Sequence, residues 1–181
     1  MSKPFHFKQF SLYDDKSTMK VGTDAVLLGV YANAENPNYI LDIGTGCGVI
    51  SLMLAQKYNC QIHAIDIDKH SYIQATNNFA MSRWGNNLLV FNTPLQDFKN
   101  DNNILYDLIV ANPPFFKQGI YPLQNQRIIS RHEKTLNLNE LFFSARKLLS
   151  NNGTISLILP SDRATECMEE ALNQNLYLSH I

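Results

Sequence analysis

Several things are missing from this chain of 181 residues, and each absence narrows what it can be. No apolar run approaches the ~18–20 residues of a membrane span. The amino terminus, MSKPFHFKQF, lacks the apolar core of a secretory signal, so the expected compartment is the cytoplasm. Cys47, Cys60 and Cys167 form no C-x-x-C pair and leave an odd thiol, as expected of free thiols in a reducing compartment. The histidines lack metal-ligand spacing, because His132-Glu133 has no second histidine completing an H-E-x-x-H motif; no metal is expected. A net charge of −1 excludes a protein that coats nucleic acid indiscriminately. Repeats, low-complexity stretches and Pro/Gly/Ser linkers are also missing, which predicts one domain over 1–181. No obligate protein partner is indicated.

What is present is an ordinary globular composition, 45% hydrophobic and 17% charged. Short apolar runs at 39–43, 61–66, 88–92, 106–111 and 154–159 are continuous rather than alternating. That pattern predicts strands buried on both faces of a parallel sheet. Helix-compatible stretches lie between them, at 48–58, 69–81 and 138–149, the last stopping at Asn151-Asn152-Gly153. A further helix is expected at 162–174 and a strand at 176–181. Near the amino terminus, 25–31 reads as an apolar helix capped by Thr23 or Asp24. The βαβ rhythm predicts an α/β fold with a doubly wound, mostly parallel sheet.

Three constellations carry chemistry. Leu41-Asp42-Ile43-Gly44-Thr45-Gly46-Cys47-Gly48 runs from a strand through a glycine-rich turn into a helix. Glycine lets backbone approach a ligand closely, and the free N–H groups of a helix start suit a carboxylate. Asp66 ends the next strand, about twenty residues on, where an acid accepts hydrogen bonds from ribose hydroxyls; Asp68 is better placed as a helix cap. Together they indicate an adenosine-bearing cofactor. The third is Asn112-Pro113-Pro114-Phe115 at the end of the 106–111 strand. Two prolines stiffen the turn, so the Asn112 amide oxygen and the Pro113 carbonyl can converge as acceptors on an exocyclic –NH2. Phe115 would stack on a base, a contact worth ~1–3 kcal/mol.

In order and spacing, Asp42–Gly48, Asp66 and Asn112–Phe115 resemble the first, second and fourth motifs of amino-methylating class I methyltransferases. The resemblance implies a Rossmann-like sheet, S-adenosyl-L-methionine as cofactor and S-adenosyl-L-homocysteine as product. Phe7-Lys8-Gln9-Phe10, the run from Met19 to Gly29, Phe116 and Arg131-His132-Glu133 are similar to the bacterial valine-tRNA (adenine-37-N6)-methyltransferase family. By that likeness residues 1–35 cover the cofactor, with Lys20, Gly22 and Thr23 over its methionine end. Asp42, Gly44, Gly46, Gly48, Asp66, Ile67, Leu95, Gln96 and Asn112 would hold the remainder, and Asn112, Pro113, Pro114 and Phe115 would act on the target. Phe115, Phe116, Lys117 and Arg131 would meet RNA, with Arg127, Lys134 and Lys3, Lys8, Lys16 and Lys20 as a basic rim. Two departures stand out. Pro94 occupies the position of an acid that contacts the cofactor adenine in relatives, leaving Leu95, Gln96 or Asp97 to substitute. The final edge strand of that sheet is also missing, so the chain reads as truncated at its carboxyl end relative to the family.

The expected reaction is direct transfer of a methyl group to adenine N6 in a tRNA, at adenine 37 of valine tRNA. The nitrogen lone pair attacks the sulfonium methyl carbon, the C–S bond breaks, and the extra N6 proton then leaves. No cysteine nucleophile is required. The Asn-Pro-Pro-Phe grip also suits a protein-glutamine N5 or rRNA guanine-N2 methyltransferase. A different class of reading is a non-catalytic RNA- or cofactor-binding relic, against which the intact motifs argue.

Overall fold

The computed structural model describes residues 3–99, 103–113 and 137–181. Its main sheet has five parallel strands: β3 (Tyr39–Ile43), β4 (Gln61–Asp66), β5 (Leu88–Asn92), β6 (Tyr106–Ala111) and β7 (Leu149–Leu157). Their spatial order is β5-β4-β3-β6-β7. The chain therefore starts the sheet in the middle, builds to one edge, and returns to build the other. Between β3 and β6 the direction of winding reverses, and such a switch point opens a crevice at the carboxyl ends of the strands.

Burial follows from the two-residue period of a strand. Ile40, Ile62, Ala64, Leu108 and Val110 face one core, covered by α1 (Thr23–Tyr31), α2 (Val49–Lys57) and α3 (Lys69–Met81). Leu41, Ile43, Ile65, Ile109 and Ala111 face the other, covered by α4 (Leu138–Leu148) and flanked by α5 (Ala164–Asn173). Two helices start on side-chain caps: Asp68 accepts from Ser71 N and Asn137 from Glu140 N, each at 2.8 Å. The expected doubly wound α/β fold is present, and no described strand follows β7.

Four details differ from the expectations. First, β7 starts at Leu149 rather than at 154, and Asn151-Asn152-Gly153 forms a bulge instead of a helix stop: Tyr106 pairs with Leu149, Leu108 with Thr154. A Cβ on Gly153 would lie 2.7 Å from the Tyr106 carbonyl oxygen, so only glycine permits this approach. Second, residues 176–181 form no strand. Leu176 N donates to Ala171 O, closing α5, and Tyr177, Leu178 and Ile181 are exposed without a ladder; a strand needs a neighbour to satisfy its backbone. Third, 162–174 divides into a short 3-10 turn at Ser161–Arg163 and then α5. Fourth, α1 begins at Thr23 with Gly22 as its N-cap, and neither Thr23 nor Asp24 supplies a capping bond. A small antiparallel ladder, β1 (Phe5–His6) with β2 (Ser11–Leu12), was not anticipated.

Candidate active site

The glycine turn links β3 to α2 and is tied to the end of β4. Gly44, Gly46 and Gly48 adopt φ of 70°, 59° and 86°, a region that favours glycine. Gly44 N and Thr45 N both donate to Ile65 O, at 2.9 and 3.1 Å. Gly46 N donates to the Asp66 carboxylate at 2.8 Å, and Asp68 N donates to its other oxygen at 2.8 Å. The turn and the acid, about twenty residues apart in sequence, thus form one unit. The three glycines have different surroundings. A Cβ at Gly44 would meet nothing within 4 Å, whereas one at Gly48 would lie 2.5 Å from the Phe79 ring. Gly44 leaves open space over the turn; Gly48 makes room for a core side chain.

Beneath the turn sits Asp42, fully buried. One of its oxygens accepts from both Thr45 and Ser51 hydroxyls at 2.7 Å. Burial raises its pKa, partly opposed by those bonds. Burial likewise pushes Asp66 up to about 6 against the bonds from Asp68 and Gly46. The Cys47 thiol rises to about 11 by burial, which removes it as a nucleophile at neutral pH.

On the far side of Asp66, the Asn92 amide donates to the carbonyls of Asp66 at 2.8 Å and Ile67 at 3.1 Å. Thr93 N donates to Asp66 O. Ile67, next to Asp66, is half-exposed, and Leu95, in the turn after β5, is buried. Gln96 points its amide to Glu140 at 3.2 Å.

Residues 11–22 run as a strap along α3 towards the turn. Lys20 Nζ donates to Asp14 O at 2.6 Å, and Val21 N donates to the Asp14 carboxylate at 3.1 Å. These bonds fold the segment before Gly22 and Thr23, which are exposed at the start of α1. Asn112 and Pro113, half-buried, leave β6 immediately beside the glycine turn, because Ala111 is in register with Ile43. The switch point therefore places Asn112-Pro113 and the glycine turn at the same level of neighbouring strands. Pro114, Phe115, Phe116, Lys117, Arg127, Arg131 and Lys134 lie outside the described residues.

Do these residues fit an adenosine-bearing sulfonium? Buried polar atoms are normally partnered, yet Ser17 Oγ and Asp42 Oδ1 have no hydrogen-bond partner among the described residues. Both border the turn, and Ser17 Oγ lies 3.4 Å from where a Gly46 Cβ would be. Open space at Gly44, an acid at the next strand end and two unmatched polar atoms suit a ligand with hydroxyl, amino and carboxylate groups. The residues fit. Sequence reading missed Ser17, Asn78 and Asn92; the available signal was the polar spacing Ser71, Gln74, Asn78 on the buried side of a helix. Among the described residues no cluster of His, Cys, Asp and Glu could hold a metal.

The family model that matches is that of the methyltransferase small domain, over residues 16–178. The chain is 44% identical over 177 residues to a tRNA1(Val) (adenine(37)-N6)-methyltransferase of Parabacteroides distasonis, covering 97% of this chain and 75% of that protein. An enzyme of the same description from Phocaeicola vulgatus is also 44% identical over 177 residues, with 97% and 74% covered. Among solved structures, a SAM-dependent methyltransferase from Agrobacterium tumefaciens superposes with a TM-score of 0.65 at 18% identity, over 94% of this chain and 57% of that one. This last likeness supports the fold alone. The family model and the two relatives go further: the chain is an S-adenosylmethionine-dependent methyltransferase and belongs to the tRNA1(Val) (adenine(37)-N6)-methyltransferase family.

Proposed function

We propose that the chain methylates N6 of adenine 37 in valine tRNA. The observation that carries this reading is the adjacency of Asn112-Pro113 and the glycine turn at the ends of β6 and β3. When bound, S-adenosylmethionine supplies an electrophilic methyl group. The protein's part is placement. Asp66 would accept from the ribose hydroxyls, Ile67 and Leu95 would flank the adenine, and the open space over Gly44 would take the methionine end, beside Lys20, Gly22 and Thr23. The Asn112 amide oxygen and the Pro113 carbonyl accept from the exocyclic amino group of the target. Those two bonds favour a tetrahedral N6 whose lone pair points at the methyl carbon, and the proton lost from N6 afterwards passes to solvent.

An anticodon-loop base is unpaired, so drawing it into such a crevice costs less than from a duplex. A tRNA substrate supports a cytoplasmic location for the chain, and no described helix is long and apolar enough to cross a membrane. The test is methyl transfer from labelled cofactor to tRNA from cells lacking the modification, with nucleoside analysis. Labelled N6-methyladenosine at position 37 of valine tRNA is the expected product. Label in rRNA guanine or protein glutamine, with none in tRNA, would overturn the substrate.

A further inference from the structure

Helix α3 buries polar groups where a core-facing helix normally buries apolar ones. Ser71, Gln74 and Asn78, at i, i+3 and i+7, are 0%, 3% and 0% exposed. Each is engaged by the backbone of the strap. Thr18 N donates to Ser71 Oγ at 3.5 Å, Lys16 N to Gln74 Oε1 at 2.9 Å and Tyr13 N to Asn78 Oδ1 at 2.9 Å. The segment is thus laced to one face of the helix through its own peptide groups.

Asn78 does more than its neighbours. Its amide nitrogen donates to Tyr13 O at 2.7 Å and to Cys47 O at 2.7 Å. An amide has two protons and a carbonyl oxygen to offer, and here both protons and the oxygen are used. The Cys47–Gly48 peptide is a planar unit, gripped at its other end by Gly48 N donating to Thr45 O at 2.9 Å. Glycines flank Cys47 on both sides, with φ of 59° at Gly46 and 86° at Gly48, and the Asn78 bond fixes the carbonyl end of this peptide. The buried Asn78 side chain therefore connects the strap to the glycine turn, and Ser17 Oγ, without a partner among the described residues, lies against Gly46.

We propose that Asn78 is a positioning residue for cofactor binding, setting the gap between the strap and the glycine turn in which the methionine end of S-adenosylmethionine lies. The inference rests on the cofactor reading given above. Loss of this tie weakens cofactor affinity and leaves the chemistry of bound cofactor intact.

The experiment compares wild type, Asn78→Asp and Gln74→Met for S-adenosylhomocysteine binding by calorimetry, and for KM and kcat with tRNA. Asn78→Asp keeps the size and the acceptor for Tyr13 N but faces a carboxylate towards two carbonyl oxygens. Its Kd and its KM for S-adenosylmethionine are expected to rise about tenfold or more, with kcat at saturating cofactor within about threefold of wild type. Gln74→Met loosens the strap alone and is expected to shift Kd by less than about threefold. Asn78→Asp that is folded and binds as wild type, or equal losses in the two variants, would overturn the proposal. Amide exchange on the wild-type protein gives a check independent of variant folding: S-adenosylhomocysteine should slow exchange at Tyr13, Lys16 and Thr18, and unchanged rates there would overturn it. Wild type that binds no ligand would overturn the cofactor reading together with this inference.

Discussion

The Asp66 carboxylate and the Gly46 N–H meet at 2.8 Å, which joins the end of β4 to the turn after β3. This buried acid has a pKa of about 6, raised first by burial, lowered by the bonds from Asp68 and Gly46, and raised again by the Asp68 and Asp42 charges. Hydroxyl donors favour the carboxylate over the carboxylic acid. Affinity for S-adenosylhomocysteine should therefore increase from about pH 5 to about pH 7, by up to tenfold per unit below the pKa, with proton release on binding. Calorimetry in two buffers of different ionisation enthalpy measures both. Asp66→Asn should bind weakly with no such slope; an unchanged slope in that variant would assign it to another group.

The same shift has a consequence for stability. In the folded state Asp66 titrates above its ordinary value of 3.8, so between those pH values the native state holds more protons than the unfolded chain. Stability of the free protein then falls as pH rises from about 4 to about 6 on account of this group, by an amount on the order of 3 kcal/mol. Asp66→Asn should accordingly raise the unfolding free energy at neutral pH, read by urea denaturation. A destabilised variant would show that the backbone bonds outweigh the burial.

Gly44 and Gly48 should respond oppositely to alanine. At Gly44 a methyl group meets nothing within 4 Å. The cost to folding is the left-handed backbone alone, about 1–2 kcal/mol, while the methyl stands in the open space above the turn. At Gly48 the methyl would fall 2.5 Å from Phe79 Cε1 in the core, adding about 1–3 kcal/mol of overpacking to the backbone term. Gly44→Ala should thus lose most ligand affinity and little stability, and Gly48→Ala should lose mainly stability. Paired denaturation and calorimetry measurements separate them; the reverse ranking would place the cofactor elsewhere.

Much of this architecture is legible from residues alone, and the reasons are physical. Strands 39–43, 61–66 and 106–111 are continuous apolar runs because both faces are buried, and their bounds match the structure, as do those of 88–92 at the sheet edge. Asp68 caps α3 as its position before Lys69 suggests. Local pattern fails where distant residues decide. The bulge at Asn151-Asn152-Gly153 depends on the Tyr106 backbone more than forty residues away. The strand expected at 176–181 has the right composition but no described neighbour to pair with. The motif around Gly48 does not reveal that Phe79 occupies the space a side chain there would need. The role of Asn78 was hidden for the same reason: its partners, Tyr13 and Cys47, are 65 and 31 residues away.

His63 and Tyr106 form a buried pair in the sheet, with Nδ1 and the hydroxyl 2.7 Å apart. Burial lowers the His63 pKa, holding the ring neutral. Phe91 and Tyr39 meet the same ring edge-on, at centroid distances of 5.5 and 6.0 Å. Tyr106→Phe keeps the packing and takes away the hydroxyl, so the expected loss is about 1–3 kcal/mol of stability. The pair lies on strands well before their carboxyl ends, and ligand affinity should be unaffected. A change in Kd alongside the change in unfolding free energy would connect this pair to the site.

Asn112 offers the most direct test of the chemistry. Its proposed task is to accept from the target amino group, a contact that matters most as the nitrogen becomes tetrahedral. An interaction stronger in the transition state than in the ground state appears in kcat. Asn112→Ala should reduce kcat by about 100-fold or more, the scale of removing one preorganised polar group, while S-adenosylhomocysteine affinity changes by less than about threefold. Asn112→Asp retains an acceptor and should fall between alanine and wild type. If both variants instead lose ligand affinity in parallel with kcat, Asn112 belongs to the cofactor pocket; if Asn112→Ala turns over as wild type, the grip on the amino group is elsewhere.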